Sequence, residues 1–161
     1  MAASVNYTGR LVDLFIFQGA KLTGDQRILP GFDGDNGGKV TSGIQKMAQT
    51  WAILFLTELG SIFYAPEVGS SFVTNFRLGT IRDESDLQAE FAFAAAQVAD
   101  QLALVTQAAE TPLPDDETLS SATLSRFNVN TATGTLSLYV RLTSQTGATH
   151  DILLPIPVAI Q

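Results

Sequence analysis

From Ile44 onward the apolar residues of this chain change their period at the Pro112-Leu113-Pro114 break, and that change leaves few folds open. Ahead of the break, Ile44, Met47, Ala48, Trp51, Leu54, Phe55 and Leu59 recur at three- and four-residue steps, and so do Leu87, Phe91, Ala94, Val98, Leu102 and Val105. Each set makes one apolar face on a 3.6-residue helix. Beyond the break, Leu136, Leu138, Val140 and Leu142 alternate with Ser137, Tyr139, Arg141 and Thr143, the period of a half-buried antiparallel strand. Thr133-Gly134 and Gln145-Thr146-Gly147 bracket that strand, which predicts a three-stranded meander over 122–130, 135–143 and 149–154. The expected class is α+β: two long amphipathic helices packed on a small antiparallel β-meander, with an N-terminal strand or arm and a C-terminal edge segment.

The ends of these elements are also marked. Thr41 or Ser42 can cap the first helix, Gly60 suits the left-handed position that closes one, and Tyr64-Ala65-Pro66-Glu67-Val68-Gly69 forces an ordered, non-helical connection. The second helix is expected from Asp83 or Ser85 to Ala109, with Ser85 and Gln88 spaced as a capping box and acidic residues in the favourable first turn. Residues 11–18, LVDLFIFQ, read as a strand or extended arm. The last stretch, ILLPIPVAIQ, carries Pro155 and Pro157, which cannot donate to a ladder, so it belongs at a sheet edge or lies on a neighbour. With 161 residues, 45% of them hydrophobic, the chain reads as one domain, its parts being 1–40, 41–117 and 118–161.

Several chemistries are excluded or disfavoured by composition. There is no cysteine and one histidine, His150, so thiolate nucleophiles, disulfides and Cys-His zinc sites do not arise. The glycine-rich 31–38 loop holds Asp33, Asp35 and Asn36, but the twelfth position from Asp33 is Ile44 where a calcium loop needs a bidentate Glu, so it reads as a turn. The amino terminus has no basic head followed by an unbroken apolar run, and the longest apolar run, Trp51 to Leu56, is far short of the roughly 20 residues that cross a bilayer. The expectation is a soluble chain made in the cytoplasm. A net charge of −7 disfavours nucleic acid as a partner. No Lys or Arg occurs between Arg82 and Arg126, where nine acidic residues fall (Asp83, Glu84, Asp86, Glu90, Asp100, Glu110, Asp115, Asp116, Glu117). Such a region either meets a basic surface or is simply a solvated face.

A glycosidase would need two carboxylates about 5 to 9.5 Å apart. Glu58 and Glu67 are the best pair, yet their flanks lack the polar and aromatic set that grips a polysaccharide. His150 stands beside Asp151 in a predicted strand, Ser70 and Ser71 lack a nucleophile-elbow frame, and no phosphate-binding glycine loop occurs. The expectation is a binding or structural protein with no catalytic residue, cofactor or metal.

The string GIQKMAQTWAILFLTELGSIFYAPEVGSSF, Gly43 to Phe72, resembles a segment of the small baseplate wedge proteins of contractile-tailed phages, the sheath initiators once labelled lysozyme-like. Gln45, Leu54 with Leu56-Thr57, Gly60, Phe63-Tyr64, Pro66-Glu67 and Gly69 stand where that family has an early Gln, an LLT, a Gly, an aromatic or basic stretch, a Pro with an acidic residue, and a final Gly. The resemblance implies a virion protein of the tail baseplate, assembled in the host bacterial cytoplasm. It implies six copies around the tail tube that rest on other wedge proteins and start the sheath by strand pairing, with tube or hub proteins as further contacts. The equivalent piece of a bacterial contractile injection system, such as type VI secretion, is the alternative, and a peptidoglycan hydrolase a third. The family's Glu-Pro-Arg triplet falls at Glu117-Thr118-Leu119, so Glu117 carries over, the Pro and Arg do not, and Arg126 is the candidate substitute. Trp51 and Phe55 are assigned to the core. The partner-binding residues expected on this likeness are Phe63, Tyr64, Glu67, Glu117, Arg126, Ile152, Leu154, Ile156 and Val158, the strand partners being the 11–18 run, the 149–160 run, or both.

Overall fold

The computed structural model describes residues 13–14, 40–130 and 132–157. In chain order they form β1 (Asp13–Leu14), β2 (Val40–Thr41), α1 (Gly43–Leu56), α2 (Phe72–Arg77), α3 (Glu84–Ala108), β3 (Leu119–Asn130), β4 (Thr135–Ser144) and β5 (Thr149–Pro157). Strands β3, β4 and β5 make an antiparallel sheet in that order, while β1 and β2 form a separate antiparallel pair. The class is α+β, as the change of period predicts. Of the 11–18 run only Asp13 and Leu14 are described; the 31–38 loop and Val158 lie outside the described residues.

One face of the sheet is the floor of the core. Leu136, Leu138, Val140 and Leu142 of the central strand are sealed from solvent, and Leu154 and Ile156 of β5 join them. Helix α1 lies over β5 and α3 over β3. Between the helices sits an aromatic cluster centred on Phe55, whose ring lies 4.8 Å from Trp51, 5.0 Å from Phe72 and 5.5 Å from Phe91, centroid to centroid. Such spacings are those of favourable ring pairs, each adding about 0.5–1.5 kcal/mol beyond the burial of apolar area. The opposite face of the sheet carries Arg126, its guanidinium carbon 3.8 Å from the centre of the Tyr139 ring, and a bidentate Arg141–Asp151 pair at 2.7 and 2.9 Å.

Four details differ from the expected pattern, each for a local reason. Helix α1 stops at Leu56 because Thr57 turns extended and returns both its N–H (2.9 Å) and its hydroxyl (2.7 Å) to the Ile53 carbonyl. Gly60 has the expected positive φ, but within the following loop, and Leu59 is therefore off the helix and exposed. The cap of α3 is Asp83, whose Oδ1 accepts from the Asp86 N–H at 2.9 Å, while Asp86 accepts from the Arg82 N–H at 3.1 Å. This exchange sits two residues ahead of the Ser85-Gln88 box, since Asp caps as well as Ser and comes first. Val105 is exposed, the buried face of α3 running out at Leu102. Helix α2 has six residues, too few to show a helical period.

The start of α1 is made by a residue from 74 positions away. Ser42 occupies the N-cap position without a side-chain bond, and Gly43 begins the helix at φ 63°, a conformation open to glycine at little cost. The buried Glu117 carboxylate fills the missing role: Oε1 accepts from the Gly43 N–H at 3.0 Å and Oε2 pairs with Lys46 Nζ at 2.9 Å. An anion there meets the positive end of the helix.

Two outcomes are expected. Glu117→Ala takes away the buried acceptor of the Gly43 N–H and one partner of Lys46, so chemical denaturation should show a loss of about 1–3 kcal/mol, the range for leaving a buried donor unsatisfied. His150 is half-buried, and desolvation lowers its pKa from 6.5 more than nearby Asp151 raises it. The unfolded chain therefore takes up the proton first on acidification, so His150 favours folding fully above pH 6.5 and this contribution declines as the pH falls below it. Asp151 is held below its ordinary 3.8 chiefly by the hydrogen bond from Arg141, and so enters only at lower pH. Denaturation of His150→Gln on either side of pH 6.5 should show a flatter dependence than the parent.

Candidate partner-docking surface

The loop from Thr57 to Ser71, which joins α1 to α2, is built to be rigid. Its stem closes through Ser70 N–H to Thr57 O at 2.8 Å and Leu59 N–H to Ser70 O at 3.2 Å. The Ser70 hydroxyl donates to the Phe55 carbonyl at 2.6 Å, satisfying an acceptor left over at the end of α1. Inside the stem, Gly60 N–H reaches Pro66 O at 2.8 Å, with further turns at Ser61, Ala65 and Val68. Two glutamines of α3, one turn apart, hold the descending limb. The Gln101 amide accepts from the Gly69 N–H at 3.0 Å and donates to its carbonyl at 2.7 Å, and Gln97 Oε1 accepts from Ser71 N–H and Oγ. Gly69 is needed for two reasons: its φ is 115°, and a Cβ would lie 2.3 Å from the Thr57 carbonyl oxygen.

At the crown of this loop Phe63 and Tyr64 are 98% and 89% exposed. Apolar rings held in water on a frame with so many internal bonds form a pre-organised knob, since little conformational freedom remains to be lost when a partner covers them. Glu67 is exposed beside them. Glu58 is engaged: Arg77 donates to its Oε1, and the Thr74 hydroxyl donates to Oε2 at 3.1 Å, which ties the loop to α2.

The other expected partner residues fall elsewhere. Glu117 is not presented to a partner, being buried on Gly43 and Lys46. Leu154 and Ile156 are core residues, 1% and 2% exposed, and Ile152 packs against the same core, so these side chains serve the fold rather than a partner. Arg126 stands past a β-bulge on the outer face of the sheet, exposed and stacked on Tyr139. Phe63, Tyr64 and Glu67 thus share the exposed 57–71 loop, apart from the rest. The sequence signal for Gln97 and Gln101 is slight, a four-residue spacing that places them on one face of α3.

Among the described residues no group of three or more His, Asp or Glu side chains is placed to hold a metal ion, and no helix is long and apolar enough to cross a membrane. The chain matches no protein-family model, no curated protein and no solved structure.

Gly69→Ala should cost about 2 kcal/mol or more, because both the backbone conformation and the Thr57 carbonyl oppose a side chain. The amides of the 57–71 loop should exchange faster in that variant while those of β4 keep their protection.

Proposed function

We propose that this protein is a structural subunit of a contractile phage tail, a baseplate wedge component that joins the wedge to the sheath and initiates sheath assembly. The observation that carries this reading is the Phe63-Tyr64 knob, which stands within the one segment whose residues resemble the sheath-initiator family. A loop tied by Gln97, Gln101, Ser70 and Glu58 presents two bare rings, as an assembly subunit needs and as a solitary protein would avoid. The sheet, whose outer edges are paired with no other strand among the described residues, supplies the second requirement, register and affinity through main-chain bonds. Six copies, the wedge neighbours and the virion location follow from the same likeness.

Imaging of assembled tails by electron cryo-microscopy is the test. Density for this chain is expected between the wedge and the lowest sheath ring, with Phe63 and Tyr64 covered. A Phe63→Ser, Tyr64→Ser double variant should keep its melting temperature and be lost from purified baseplates. Density at the distal spike, or a chain missing from tails, would overturn the reading.

A further inference from the structure

The two outer strands of the sheet differ in what their free edges offer. The hydrogen-bond phase follows from the hairpin, where Ser144 N–H donates to Ala148 O at 2.9 Å and Gln145 N–H to Thr118 O at 2.9 Å. Even-numbered residues of β4 therefore bond to β5 and odd-numbered ones to β3. On β5, opposite the odd residues, Thr149, Asp151, Leu153, Pro155 and Pro157 aim their backbones away from the sheet. Two of those five positions are proline, so the second half of that edge has no donors for an incoming strand.

On β3 the outward set, opposite the even residues of β4, is Ala122, Leu124, Phe127 and Val129. All four have N–H groups, and no strand among the described residues lies along that outer side of β3. Their side chains point to the core face yet are incompletely covered. Ala122, Leu124 and Phe127 are only partly buried and Val129 is 51% exposed, whereas their partners on β4 are sealed. Beside this edge runs a groove of about 480 Å³ between α3 and the start of β3, its helical wall made largely of alanines such as Ala92, Ala96, Ala99 and Ala103. Small residues there leave room for side chains arriving from outside.

We propose that the free edge of β3 is the augmentation site of this protein, and that it takes a strand with apolar residues at alternate positions and Lys or Arg between them. Partner side chains on the core face would cover Ala122, Leu124 and Phe127 and enter the groove. The basic residues are called for by charge: the groove lies almost wholly within the stretch from Arg82 to Arg126 that has no cation, and Asp100, Glu110 and Asp115 flank its lining residues in the chain. The inference rests on the assembly reading in that the strand belongs to another subunit, and it assigns the pairing to β3 rather than to the 149–160 run.

The probe is an acetylated, amidated peptide of about ten alternating valines and lysines, a length ample for one strand, with amide exchange of the full chain resolved by residue. The Ala122, Leu124 and Phe127 amides should slow by about tenfold or more, the effect should weaken with salt, and a valine-glutamate peptide should not reproduce it. Ala122→Pro removes an outward N–H without touching the β4 ladder and should abolish protection, whereas Leu153→Pro, the matched change on β5, should not. Should Ala122→Pro fail to fold, Ala96→Phe fills the groove from an exposed helix position and should block the peptide equally. Protection of the Thr149, Asp151 and Leu153 amides instead, or of neither edge, overturns the assignment. The two proposals separate cleanly. A chain absent from tails whose β3 edge still captures the basic peptide sinks the tail reading alone, and tails that assemble with Ala122→Pro but not with Leu153→Pro sink the edge assignment alone.

Discussion

The packing of Phe55 against Trp51, Phe72 and Phe91 is the contact on which the remaining structure depends. It joins three helices at one point: Trp51 and Phe55 belong to α1, Phe72 opens α2, and Phe91 lies in the first third of α3. Burying each ring contributes on the order of 1.5–3 kcal/mol before any ring-pair preference is counted. Because Phe55 and Phe72 touch, the two ends of the intervening loop are brought together, and the stem bonds of Ser70 and Leu59 can close without further cost in chain entropy. The exposed crown is thus a consequence of the core beneath it.

A second support acts at the far end of α1. The Glu117 carboxylate comes from the turn that leads into β3, so the start of the helix and the start of the sheet share one buried anion. The aromatic cluster and this anion hold α1 at both ends. What lies between is a helix whose apolar face rests on β5, and whose position fixes how the loop stands relative to the sheet.

Much of this is legible in the residues. The period-two run through Leu136, Leu138, Val140 and Leu142 announced the central strand, and its side chains are the most completely buried in the sheet. The helical faces of α1 and α3 read correctly from Met47 to Phe55 and from Leu87 to Val98. Long-range polar contacts were not legible, because nothing in the spacing of Gly43 and Glu117, or of Gly69 and Gln101, reports that they meet in space. The sequence alone therefore assigns Glu117 to a partner-binding surface, whereas the fold buries it. Similarly, apolar residues at Ile152, Leu154 and Ile156 suit a core strand and an interface strand equally, and the covering helix α1 decides between them. The Phe63-Tyr64 pair is visible in the sequence, but its near-complete exposure follows from the loop frame.

The prolines of β5 have a consequence for growth. A sheet open along both edges can add strands to either side and propagate into a fibre of its own copies, whereas one blocked on a flank grows in a single direction. With Pro155 and Pro157 facing outward on one flank and a proline-free β3 on the other, this sheet has a polarity. It resembles the end unit of a ladder, able to begin a series of strand additions and poorly suited to sit in the middle of one.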